Sequence, residues 1–152
     1  MYDFIILLSR YLFIIYIAVF VLMGLVFVTS ERSENYGRLP RAISVQRKVM
    51  ILMHLTAYAI LCWDREKGSV NINVIVSGAG ALVYLFVSSF LLGKIYSHGC
   101  PLIWNCMYFL MDAGLIMLQR LNPELANKQL VWMTVSTVAI MIIPPMLKVM
   151  PK

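Results

Sequence analysis

Five long apolar blocks separate the polar stretches of this chain: Phe4–Val28, Val49–Trp63, Val70–Ile95, Leu102–Leu118 and Leu130–Val149. A helix needs about 20 apolar residues to cross the hydrocarbon of a bilayer, and most of these blocks reach or approach that length. With 61% apolar residues, 13% charged residues and a mean hydropathy of +0.82, the chain lies outside the usual range of soluble domains. The fold expected is all-α, a polytopic transmembrane bundle of about five helices.

Arg10 does not veto the first block. It lies within two turns of the block's start, where a guanidinium reaches the interface along its aliphatic stem. That block also lacks a basic leading segment and carries Asp3, so it reads as a retained anchor rather than a secretory signal. The second block is the weak one. Its fifteen residues span only about 22 Å at 1.5 Å each, so Arg47 and Lys48 at one end and Trp63 at the other must complete the crossing. The alternative for this block is a re-entrant hairpin.

Orientation follows from the basic residues of the short loops, which favour the cytoplasmic side. The segment Thr29–Lys48 holds Arg32, Arg38, Arg41, Arg47 and Lys48 and is expected inside, with the N-terminus outside. Lys94, Lys148 and Lys152 join it, while Arg65, Lys67, Arg120 and Lys128 fall outside. The net charge of +6 then meets anionic lipid, at about 1 kcal/mol per basic residue. Membrane lipid is thus the expected partner, and nucleic acid is not.

Cys62, Cys100 and Cys106 show no metal or redox spacing, and the topology sets Cys62 and Cys100 at opposite membrane faces, so structural thiols are expected. Two ionisable residues inside apolar blocks stand out, because such groups are costly in hydrocarbon. His54 has no HxxxH or HExxH around it and is expected to be hydrogen-bonded within the bundle rather than to ligate metal. Asp112 needs a cation or hydroxyl, or must stay protonated. No other block offers an obvious basic partner at its depth, so a partner outside the chain is expected.

The run Ser77-Gly78-Ala79-Gly80-Ala81 resembles a phosphate loop only superficially, since Val83 stands where the third glycine would be. Small residues here are expected to admit a neighbouring helix, with Ser77 and Ala81 as a small-xxx-small pair. Pro144-Pro145 marks a kink or an early end of the last helix.

The stretch Asn105–Lys128 is the most informative. One helix leaves the membrane at Gln119-Arg120, Asn122 caps the next, Pro123 takes its first position and Glu124 its first turn, which predicts a tight helical hairpin. Within it, Gly114-Leu115-Ile116-Met117-Leu118-Gln119-Arg120-Leu121-Asn122-Pro123-Glu124-Leu125-Ala126-Asn127-Lys128-Gln129 resembles the GhhMLxRLxPxxAxxQ stretch (h apolar) that joins the first two core helices of the SEDS family, the FtsW/RodA/SpoVE cell-division and cell-shape proteins. Trp132 is placed as in many members. The likeness covers about the last third of the chain. The earlier helices look like the N-terminal extension of some FtsW-like proteins of Gram-positive anaerobes.

The resemblance implies a polytopic glycosyltransferase of the bacterial plasma membrane. It would polymerise lipid II into peptidoglycan outside the membrane, usually with a class B penicillin-binding protein; older proposals made such proteins lipid II flippases. It divides the chain into an extension over residues 1–100 and a truncated first core pair over residues 101–152. The family core has ten helices, and its essential aspartate lies in a later loop, beyond Lys152. Asp112 does not match that position, so no catalytic, cofactor-binding or metal-ligating residue is assigned. The alternative reading is a small non-catalytic membrane scaffold or interaction protein. A small transporter is a third, without evident inverted repeats or discontinuous helices.

Overall fold

The computed structural model describes residues 2–33, 37, 39–64, 69–96 and 99–149, with side chains described over 8–33, 37, 39–62, 70–96 and 99–143. Five helices follow one another: α1 (Tyr2–Arg32), α2 (Leu39–Leu61), α3 (Ile72–Ile95), α4 (Pro101–Leu121) and α5 (Pro123–Val149). The only other regular structure among the described residues is a two-residue antiparallel ribbon, in which β1 (Trp63–Asp64) pairs with β2 (Ser69–Val70) between α2 and α3. The chain is an all-α helical bundle.

Among the described residues, four helices are long and apolar enough to cross a membrane: Leu8–Arg32, Ile72–Ile95, Pro101–Leu121 and Pro123–Ile143. The fifth, α2, is the block the sequence marks as weak. Its helix begins ten residues earlier than the apolar run, at Leu39 rather than Val49, so most of the expected basic loop is helix. The reason is a polar but helix-compatible face: Ala42 and Gln46 are buried against the bundle one turn apart, while Arg41, Arg47 and Lys48 stay exposed. At 23 residues the helix is about 34 Å long, yet only its second half is apolar.

Large apolar side chains remain exposed along the bundle, among them Leu22, Val76, Phe90, Leu110 and Val138. Water does not tolerate a surface of this kind, and a bilayer requires it. The chain is a membrane protein with transmembrane helices. Its interior core joins Met50 of α2, Ala81, Tyr84, Leu85 and Leu92 of α3, Tyr108 and Leu115 of α4, and Met133 of α5. Helix α1 is tied on by Phe20, which stacks on Phe109 of α4 with ring centroids 4.1 Å apart.

The hairpin between α4 and α5 has the expected chemistry. Asn122 Oδ1 accepts from the backbone N–H of Glu124 at 3.1 Å and of Leu125 at 3.2 Å. Pro123 opens α5, where its missing N–H costs nothing, and Glu124 follows in the first turn. At the other end, α5 runs through Pro144-Pro145 to Val149, so the helix does not stop at the prolines as one reading of the sequence expects. The side chains of this pair lie outside the described ones.

Candidate functional site: a buried histidine–aspartate couple

The first polar group of interest, His54, lies on the fourth to fifth turn of α2 and is 2% exposed; Asp112, in the middle of α4, is 0% exposed. The two meet. His54 Nδ1 and Asp112 Oδ1 are 2.6 Å apart, and His54 Nε2 is 3.0 Å from the carbonyl oxygen of Gly78 in α3. The expectation that Asp112 finds its partner outside the chain is therefore corrected: α2 brings the imidazole to its depth. The expectation that His54 is hydrogen-bonded within the bundle agrees with this geometry.

The partners fix the proton count. A carbonyl oxygen only accepts, so Nε2 carries a proton and donates to Gly78. The Nδ1 to Oδ1 contact needs one further proton, which sits on either atom. Imidazolium with carboxylate and imidazole with carboxylic acid hold the same protons and the same net charge of zero, so the couple enters hydrocarbon without uncompensated charge. Asp112 Oδ2 has no hydrogen-bond partner among the described residues.

Close helix approach makes this contact possible. A Cβ on Gly78 would lie 2.5 Å from Cδ1 and 2.7 Å from Cγ of Tyr58, so a larger residue would push α2 away from α3. Tyr58 in turn covers the imidazole, with ring centroids 4.5 Å apart. Ser77 and Ala81 are buried on the same face, which is the packing role the small-residue run predicts.

A second cluster lies toward the α4–α5 turn. Ser77 Oγ is 2.9 Å from Gln119 Oε1 and 2.9 Å from Asn127 Oδ1. One hydroxyl proton serves only one of them, so one amide presents its NH2 to the oxygen. A third lies toward the other end. Gln46 Nε2 donates to the Phe20 carbonyl at 3.2 Å, Asn105 Nδ2 donates to Gln46 Oε1 at 3.2 Å, and Arg47 Nε donates to Asn105 Oδ1 at 3.3 Å. Sequence reading gave Gln46, Asn105 and Gln119 no role inside the bundle. Their signal was polarity at positions spaced seven apart in α4, where Asn105, Asp112 and Gln119 share one buried stripe.

The three clusters cross-link α1 to α5 with hydrogen bonds that hydrocarbon does not compete for. Most of their members are buried, which suits them to holding helices. Cys62, Cys100 and Cys106 are free thiols, and no group of three or more His, Cys, Asp or Glu that could hold a metal occurs among the described residues. Among the acids and bases singled out from sequence, Glu124 and Arg120 are exposed at the α4–α5 turn. Arg38, Arg65, Lys67 and Lys152 lie outside the described residues, as do the side chains of Asp3 and Lys148.

Fold and site together define a helical membrane protein whose bundle is pinned by a buried His–Asp couple. No family model, curated protein or solved structure matches the chain.

Proposed function

We propose that this chain is the N-terminal membrane part of a SEDS-like peptidoglycan glycosyltransferase, a lipid II polymerase of the bacterial plasma membrane acting in cell division or cell shape. The observation that carries this reading is the segment Gly114–Gln129, whose sequence follows the family stretch and whose residues form a capped helix–turn–helix. Within it Leu115, Gln119 and Ala126 pack inward, and Arg120 and Glu124 lie exposed at the turn.

In this reading α4 and α5 are the first core pair and α1–α3 an extension beside it. The His54–Asp112 contact then clamps the extension to the core, because one partner belongs to each. The role of these residues is to position the core pair, while glycosyl transfer needs a carboxylate or equivalent base facing outward, carried elsewhere in the whole protein. Class B penicillin-binding protein is the partner proposed.

The test is the reading frame downstream of Lys152, followed by co-purification. The frame is expected to continue with more hydrophobic segments and an acidic residue in an outer loop, and the tagged protein to carry a class B penicillin-binding protein through detergent extraction. An immediate stop codon, or a tagged protein that recovers no such partner, contradicts the proposal.

A further inference from the structure

Two adjoining hollows, each of about 230 Å³, run between α2, α3 and α4 and share Arg47, Ser89 and Tyr108 in their walls. One is apolar. It is lined by Met50 and Ile51 of α2 and by Leu82, Leu85, Phe86 and Phe90 of α3, with His54 at its depth. From Arg47 to His54 the groove follows one face of α2 for two turns, about 10 Å. The other hollow is more polar and reaches Tyr96, Gly99 and Trp104 where α3 passes into α4.

Arg47 lines both hollows, and Lys94 stands beside the apolar one without lining it. Arg47 uses Nε on Asn105, which leaves the fork of its terminal N–H groups for an anion. Lys94 Nζ stands 4.5 Å above the ring of Phe90, a wall residue of the apolar hollow. Among the described residues, no acidic side chain lines either hollow. Tyr108, 3% exposed, lines both hollows; Ser88 nearby gives its proton to the Tyr84 carbonyl at 2.6 Å and keeps its oxygen as an acceptor facing the Tyr108 hydroxyl.

We infer that this groove binds one anionic glycerophospholipid, with its phosphate at Arg47 and Lys94 and one acyl chain along the apolar wall. The charge selects the occupant. A zwitterionic lipid would bring its ammonium group to the same two cations, whereas a headgroup of net negative charge satisfies them. The bundle supplies the depth relation a bilayer lipid needs, since the cations stand at the end of α3 and near the start of α2 while the apolar wall descends from them. The inference rests on the membrane character of the bundle and is independent of the peptidoglycan reading.

The test uses Trp104, in the wall of the polar hollow, as reporter in the full chain with Trp63→Phe and Trp132→Phe. The protein is reconstituted in phosphatidylcholine with increasing phosphatidylglycerol brominated near the carbonyl end of its acyl chains, and separately with phosphatidylcholine brominated at the same position. Saturable quenching at about thirtyfold lower mole fraction of the anionic lipid is expected, the scale two juxtamembrane cations provide. Arg47→Gln and Lys94→Gln should each reduce that preference. If Arg47→Gln loses its helical circular dichroism, Lys94→Gln, at an exposed position, decides alone. Equal quenching by both lipids, or a preference unchanged by Lys94→Gln, overturns the inference. Displacement of the lipid by millimolar soluble glycerol phosphate would also overturn it, by showing a site for free phosphate instead.

Discussion

His54 Nδ1 and Asp112 Oδ1 lie 2.6 Å apart across 58 residues of sequence, and the same imidazole reaches the Gly78 carbonyl. One side chain of α2 thus engages α3 and α4 at once. Removal of either partner strands the other in a low-dielectric interior, where no water restores the lost bond.

Asp112→Asn should therefore be tolerated better than Asp112→Leu. The amide keeps a hydrogen-bonding group against His54 Nδ1, whereas leucine leaves that nitrogen unpartnered at a cost of about 1–3 kcal/mol. Thermal unfolding in detergent should place Asp112→Asn near the parent and Asp112→Leu well below it. Equal destabilisation by both would mean that an ionised carboxylate, not a hydrogen bond, is what the site requires.

Gly78→Ala should destabilise the bundle by about 1–3 kcal/mol, the usual scale of overpacking, because its new methyl would overlap the Tyr58 ring. Gly80→Ala should be mild, since its Cβ would meet only Leu130 Cδ2 at 3.5 Å. Pairing Gly78→Ala with Tyr58→Ala should cost less than the sum of the two single changes. Strict additivity in unfolding measurements would contradict the close-packing role of Gly78.

Asn122→Ala should cost about 1 kcal/mol of stability, the typical value of a lost helix cap, and Asn122→Asp should restore most of it. Chemical unfolding of the purified protein provides the comparison. A neutral Asn122→Ala would mean that the Glu124 and Leu125 amides have another acceptor.

Legibility in the sequence differed by the range of the interaction. The Asn122 cap and the Pro123 start could be read because they depend on neighbours three residues apart. His54 and Asp112 could each be recognised as anomalous in an apolar block, but their pairing depends on the register of α2 against α4, which no local pattern encodes. They were nonetheless the two conspicuous ionisable groups buried in hydrocarbon, and the cost of leaving both unpaired was a signal that they pair with each other. The start of α2 was misplaced for a related reason: Gln46 looked like loop because its partners, the Phe20 carbonyl and Asn105, lie on other helices.

The basic α1–α2 end of the bundle is expected on the cytoplasmic side. Ser33 and Asn127 are both exposed, at the α1–α2 and α4–α5 ends respectively. With the native cysteines replaced, a cysteine at Ser33 should be shielded from an impermeant thiol reagent in intact cells and one at Asn127 should be labelled. The reverse pattern would invert the topology.

Lipid II polymerisation by purified protein tests the functional proposal most directly. Labelled lipid II is supplied in detergent to residues 1–152 alone and to the polypeptide encoded by the continued reading frame, and glycan products are resolved on a gel. Polymer is expected only from the longer polypeptide, because the acids exposed at the turn of this bundle have an ordinary role: Glu124 sits in the first turn of α5, where the helix N-terminus stabilises its charge. Polymer made by residues 1–152 alone and abolished by Glu124→Ala would contradict the proposal, as would a longer polypeptide that folds and makes none.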